Sequence, residues 1–242
     1  MKHVLMKNNL TRRRDDLLFS VEKSQIGCDE VGTGDFFGPV IVCAAYVSKE
    51  HFSYLKQIGI KDSKKCSKKE IKTLFLKIHS MIPYSCYQLD NKNYNEMIKD
   101  KNLNEIKSIL HNQAILDFNK YPYERVIIDQ FVEEKKYYSY LKDQKMIQKD
   151  IQFVTYAESE FLSVACASII ASYFYLKELE KLSKTVKKRL IRGSSLKVNH
   201  IAYQIVKEKG FESLSTISKL NFKNKKVIEK KYQEEMIWKK DF

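Results

Sequence analysis

Short apolar runs dominate the first third of the chain, and helical spacings dominate the rest. Residues 25–29 are a short apolar run that ends in two carboxylates, Asp29 and Glu30. The glycine-dense string VGTGDFFGP follows, and then the apolar, β-branched stretch 40–47. Apolar runs on either side of glycines predict strand, tight turn, strand. The runs 84–89, 126–128 and 151–156 also read as strands, and the last two end at Asp129 and just before Glu158. Helices are expected over 70–79, 93–98 and 103–118. In the last of these Leu103, Ile106, Ile109/Leu110 and Ala114 recur at helical spacing. Pro122 breaks that pattern, and Glu133-Glu134 begin another helix, where carboxylates favour the N-terminal dipole. A long helix spans 161–182, and its small-residue half, SVACASIIAS, permits close packing on a sheet. After a loop at 192–195, helices are expected over 201–209 and 212–220. Ile228, Tyr232 and Met236 keep i, i+4 spacing in an amphipathic helix within 223–240. This order predicts an α/β chain, a mixed sheet with helices on its faces. It divides into a basic lead-in (1–23), a catalytic domain (24–222) and a Lys-rich helical tail (223–242).

Composition narrows the class. With 242 residues and 43% apolar content the chain can build a full core, which excludes wholesale disorder. The five cysteines form no C-x-x-C pair, so no local zinc or dithiol motif is present, and the set fits reduced thiols in a cytoplasmic protein. The longest apolar run, 39–47, is far below the ~20 residues of a spanning helix. The basic start lacks the apolar stretch of a secretory signal. No membrane association and no obligatory protein partner are expected. The net charge of +14 favours a polyanionic partner through counterion release, although 38 of the 44 basic residues are Lys and a general Lys bias would give the same excess.

Three strand ends present carboxylates: Asp29-Glu30, Asp129 and Glu158. Acids brought together at the edge of a core repel one another and stay ionised only beside cations. Hard divalent ions with oxygen ligands provide them, and two such ions can drive an in-line displacement at phosphorus. A lone Asp at a strand end is most often a solvated turn residue or a cap, and spacing does not show that these acids meet.

The whole string changes that balance. CDEVGTGDFFGPVIVCAAYV (28–47) resembles the signature of bacterial ribonuclease HIII, in which Gly32-Thr33-Gly34 stands where ribonuclease HII has Gly-Arg-Gly. Further segments are similar in the same order: Lys61-Asp62-Ser63-Lys64-Lys65, Tyr94-Asn95-Glu96 with Asn102-Leu103-Asn104, Ile128-Asp129-Gln130-Phe131, Ala157-Glu158-Ser159 before VACASIIASY, and Lys219-Leu220-Asn221-Phe222. The resemblance covers about 24–224. It implies a ribonuclease H-like fold, a five-stranded mixed sheet flanked by helices, with C-terminal helices. It implies an endoribonuclease that cuts the RNA strand of RNA/DNA hybrids by two-metal-ion catalysis with Mg²⁺ or Mn²⁺, leaving 5′-phosphate and 3′-hydroxyl ends. Carried over by position, Asp29, Glu30, Asp129 and Glu158 are the catalytic and metal-binding acids.

Residue chemistry adds expected substrate contacts. Gly32, Thr33 and Gly34 offer backbone groups that would approach a ribose 2′-hydroxyl closely. Ser63, Lys64 and Lys65, and also Ser195 and Lys197, would meet phosphates. In a regular strand Asp29 and Glu30 point to opposite faces, so the backbone is expected to turn or bend there. Asp35 is expected to orient the glycine turn, His200 to be an ordinary surface or packed residue, and Trp238 to pack the last helix.

The sequence departs from the pattern in three ways. Only about 25 residues precede the signature, too few for the family's usual amino-terminal substrate-binding domain, so Arg12-Arg13-Arg14 and the Lys-rich tail would have to replace its grip. Asn199 stands where the family often has an acid, and Cys166 and Ser172 replace an alanine and an arginine. The rival readings are ribonuclease HII-like cleavage at single ribonucleotides in DNA, a non-catalytic hybrid-binding module, and a basic structural RNA-bound protein.

Overall fold

The computed structural model describes residues 23–60 and 66–238, with side chains through Met236. Ser63, Lys64 and Lys65, the arginines at 12–14 and the side chain of Trp238 lie outside the described residues.

Five strands form one sheet in the order β3-β2-β1-β4-β5: β1 (Gln25–Val31), β2 (Val40–Val47), β3 (Tyr84–Leu89), β4 (Arg125–Asp129) and β5 (Ile151–Val154). β1–β2 and β2–β3 are antiparallel, while β1–β4 and β4–β5 are parallel. The sheet is therefore mixed, as the alternation of elements predicts. The helices are α1 (Phe52–Gln57), α2 (Lys68–Ile78), α3 (Asn91–Asp100), α4 (Leu103–Leu116), α5 (Glu134–Tyr140), α6 (Leu162–Val186), α7 (Leu196–Lys209) and α8 (Lys223–Trp238).

Local chemistry accounts for the helix starts. Ser67 and Glu70 close a reciprocal capping box on α2, while Asp90 and Asn102 cap α3 and α4 through side-chain oxygens. Glu133 precedes α5, as its position predicts. Strand alternation then divides the core. Ile41, Cys43, Ala45 and Val47 face α2, α6 and α7, whereas Val40, Val42 and Ala44 face Ile106, Ile109 and Leu110 of α4.

The small residues of α6 do what the sequence suggests. Gly27 on β1 lies so close to this helix that a Cβ would strike the backbone of Ser163 and Val164. By length and composition α6 would suffice to cross a membrane, but 67% of its most apolar window is buried within the chain. It is the central helix of the core, and serines and tyrosines interrupt its apolar run.

Two expectations need correction. Residues 212–220 do not form a helix. A 3₁₀ turn covers Phe211–Leu214, and Ser218 then pairs with Phe37 in an isolated antiparallel bridge. The backbone there is drawn into pairing with the glycine-rich loop, a long-range contact that overrides local spacing. The cysteines are not all thiols. Cys43 and Cys86 face each other across β2 and β3, with Cα atoms 4.2 Å apart, and form a disulfide, while Cys28, Cys66 and Cys166 are thiols. A cross-strand pair 43 residues apart leaves no spacing signature.

Candidate active site

The parallel register sets the first pair of acids. β1 and β4 pair from Gln25↔Arg125 to Cys28↔Ile128. One residue further along each strand stand Asp29 and Asp129, just past the last positions that pair these neighbouring parallel strands. β1 continues to Val31 against β2, so Asp29 and Glu30 both remain in a regular strand and no turn begins there. Alternation therefore sends them to opposite faces. Asp29 lies on the α6 side, where it accepts hydrogen bonds from the Ser168 hydroxyl and from the Glu30 N–H at 2.7 Å. Glu30 lies on the α4 side. One of its oxygens accepts from Lys107 Nζ at 2.9 Å, and the other meets His111 Nε2 at 2.9 Å.

Lys107 and His111, which the sequence patterns did not single out, meet one of the candidate acids. They stand at i, i+4 on the face of α4 that faces the sheet, the Lys107 side chain only 8% exposed and that of His111 fully buried. The Lys107 ammonium also lies 3.9 Å from the ring centroid of Phe131, and the His111 ring packs 4.9 Å from the same ring. The signal was present: two basic residues one turn apart inside an apolar helical face demand a buried acid.

Asp129 turns the chain toward Glu158. Its Oδ1 accepts the Ala157 N–H at 2.9 Å, and Gln130 N–H donates to the Val154 carbonyl at 2.9 Å. Tyr156 takes a left-handed conformation, with φ of 57°, and the 3₁₀ turn Ala157–Ser159 buries Glu158 at 5% exposure.

The charge at this edge is crowded. Burial, then the charges of Glu30 and Asp129, push the Asp29 carboxyl up to about 8, against the hydrogen bonds from Ser168 and the Glu30 N–H. Burial also presses Glu30 upward, but the hydrogen bond and charge of His111, followed by those of Lys107, outweigh it and hold the group below the ordinary glutamate value.

Asp29, Glu30 and the loop 31–35 line a cavity of 390 Å³ with Cys66, Ile71, Ser168, Ser172 and Arg192. The loop is braced from far along the chain. Asp35 accepts from Gly193 N–H at 2.6 Å and from Arg192 Nε at 3.1 Å, so it does orient the turn. Lys219, fully buried, donates to the carbonyls of Asp35 and Gly38, and burial drives its pKa down to about 7 against the opposing charge of Asp35. Gly32 has φ of +92°, and a Cβ there would strike the Pro39 carbonyl. Gly34 is exposed, with open space where a Cβ would stand, and Thr33 is half-buried beside it.

Ser195 and Lys197 are exposed at the start of α7, Ser195 as its N-cap residue without a side-chain cap bond, and neither lines the cavity. His200 is exposed and pairs with Gln204.

Among the described residues no group of three or more His, Cys, Asp or Glu side chains is gathered closely enough to enclose a metal ion. The donor chemistry nevertheless fits Mg²⁺ or Mn²⁺. The available ligands are carboxylate oxygens, Asp129 lies close enough to Asp29 to raise its pKa, and such ions commonly take one or two carboxylates and complete their shell with water and phosphate oxygens.

Residues 26–225 match the family model described as Ribonuclease HII. The chain belongs to the ribonuclease HII/HIII family. Among curated relatives, the ribonuclease HIII of Listeria monocytogenes serotype 4b is 42% identical over 208 residues, covering 84% of this chain and 68% of that protein. The ribonuclease HIII of Phytoplasma mali is 44% identical over 205 residues, covering 83% and 71%. Among solved structures, Bst-RNase HIII in complex with Mn²⁺ is 34% identical, with a TM-score of 0.85 over 94% of this chain and 75% of that one. The chain is thus a ribonuclease H-type hydrolase, with the family's α/β architecture.

Proposed function

We propose that the chain is a ribonuclease HIII-type endoribonuclease that hydrolyses the RNA strand of RNA/DNA hybrids with Mg²⁺ or Mn²⁺, leaving 5′-phosphate and 3′-hydroxyl ends. The observation that carries this reading is the placement of Asp29 and Asp129 on adjacent parallel strands, just past the last positions that pair the two, with Asp29, Glu30 and residues 32–34 lining one cavity. Asp29, Glu30, Asp129 and Glu158 would hold two ions. When bound, the ions would supply an activated water and stabilise the leaving oxygen.

The chain's own groups have separable tasks. Lys107 and His111 hold the Glu30 carboxylate in place. Asp129 fixes the turn that carries Glu158 through the Ala157 N–H. The Gly32–Gly34 backbone, kept rigid by Asp35 and Lys219, presents peptide groups to the minor groove of the hybrid, where the 2′-hydroxyl separates RNA from DNA. Cys66, which follows Lys65 directly in sequence, lines the cavity, and this supports a phosphate-contacting role for Ser63, Lys64 and Lys65.

The test is cleavage of an end-labelled hybrid with Mg²⁺, Mn²⁺ or EDTA by the parent chain and Asp129→Asn. Metal-dependent cutting of the RNA strand that the substitution abolishes is expected. Cutting in EDTA, or full activity of the variant, would overturn the reading. A second reading, cleavage at single ribonucleotides in DNA, is favoured by the breadth of the matched family model and disfavoured by the Gly-Thr-Gly turn. Parallel assays on a uniform hybrid and on a duplex with one ribonucleotide separate the two.

A further inference from the structure

A second cavity, of 660 Å³, lies next to the first and has the opposite charge. Lys68, Lys72, Lys177, Lys184, Lys187 and Arg189 line it and are all exposed. Glu180 is the acid in its wall, and its carboxyl is held below the usual range by Lys184, which pairs with it at 2.8 Å, and then by Lys72 and Lys68. Lys188 also lines the groove and pairs with Glu208.

Three segments contribute neighbouring residues to both cavities. On α2, Ile71 faces the acidic cavity and Lys72 the basic groove. On α6, Ser172 and Tyr173 divide in the same way. Beyond α6, Leu190 lines the groove and Arg192 the acidic cavity. Tyr173 is stacked on Phe75 of α2, with ring centroids 3.7 Å apart, so the wall between the cavities is a packed one.

Helix α6 passes the acidic cavity at Ser168 and Ser172 and then carries Lys177, Glu180 and Lys184 along one face, with Lys187 as the residue that caps its end. At 1.5 Å per residue, Ser172 to Lys187 spans about 22 Å, the axial length of about six base-pair steps.

We infer that this groove is a second nucleic-acid site, which takes the phosphate backbone of the duplex arm leading away from the cleavage position. The inference rests on the nuclease reading above and extends it: α6 acts as a rail, with the acids at one end and a row of cations along the other. A solvated Lys-rich surface would spread its charge over both layers of the molecule. Here six exposed cations from three segments surround a single groove beside the acids.

The test compares two triple variants with the same loss of charge. One neutralises the groove (Lys177→Gln, Lys184→Gln, Arg189→Gln). The other neutralises the opposite layer (Lys92→Gln, Lys120→Gln, Lys142→Gln). Affinity for a hybrid of about 20 base pairs is read by fluorescence anisotropy in EDTA, and KM and kcat are read with Mg²⁺ or Mn²⁺, each over a range of salt. The groove variant is expected to raise Kd and KM tenfold or more, to leave kcat within twofold, and to flatten the log–log salt dependence by about 2 to 3. The opposite-layer variant should do little. Equal effects of the two variants, or no effect of the groove variant, would overturn the inference. Absence of cutting by the parent chain would overturn the nuclease reading instead, and the EDTA binding series would still decide the groove.

Discussion

At the scale of the residue, two acids adjacent in sequence have been given opposite electrostatic fates. Asp29 faces α6 and is pushed up to about 8, while Glu30 faces α4 and is held down by His111 and Lys107. Each case leads to an experiment. In the unfolded chain Asp29 ionises near its ordinary value of 3.8, and in the folded chain it keeps its proton to about 8. Between those values the folded state binds the extra proton, so this group's contribution to stability falls as pH rises and is fully lost above 8. Asp29→Asn should therefore match the parent near pH 4 and exceed it increasingly up to pH 9, by about 1.4 kcal/mol for each pH unit between those two values, in urea unfolding without divalent ions, while abolishing cleavage. For Glu30 the contribution comes from its partners. Lys107→Met leaves a buried carboxylate with His111 alone, and should cost about 3 kcal/mol in calorimetry. It should also lower Mn²⁺ affinity and single-turnover cleavage about 10–100-fold, as loss of a ligand-orienting contact does. The motif-bearing acids were visible in the sequence because they follow apolar runs and sit in a long recognisable string. Lys107 and His111 lie in no such string, and their importance appears only when α4 crosses Glu30.

At the scale of the element, the sequence was most informative where one local force dominates. β2 and β3 coincide with their apolar runs, α2 begins at its capping box, and α6 follows its small-residue pattern. Residues 212–220 went the other way, because their spacing is helical but their backbone pairs with residues 36–38. The helix Phe52–Gln57 gave no signal, being under two turns long and dependent on the burial of Phe52 and Leu55. Contact between α6 and β1 depends on one missing side chain. Gly27→Ala would force the helix off the strand that carries Asp29 and Glu30. Denaturant titration should show a loss of about 3 kcal/mol, the upper end of ordinary overpacking, because backbone rather than a flexible side chain must move.

At the scale of the whole molecule, charge and architecture separate. The +14 excess does not lie only on a loose tail. α8 is a docked element: Ile228 is buried, Tyr232 packs edge-on against Phe211, and Glu235 bonds to Tyr203 and, at 2.7 Å, to Lys207. Deleting residues 223–242 should therefore lower the melting temperature by about 5 °C or more, beyond any electrostatic effect on hybrid binding, as thermal scans in low and high salt will show. The loop that carries Gly32–Gly34 spans the molecule in another sense. It is held by Lys219, which lies 184 positions beyond the Asp35 carbonyl it donates to, and by the backbone of Ile217 and Lys219. A ribosome working at about 5–20 residues per second takes roughly 10–40 s to cover that distance. Only over the stretch from Glu158 to Lys219 does the emerging chain contain all four acids while lacking the buttress of the Gly32–Gly34 loop. The loop that lines the acidic cavity thus waits, half-assembled, for a lysine made long after the loop itself.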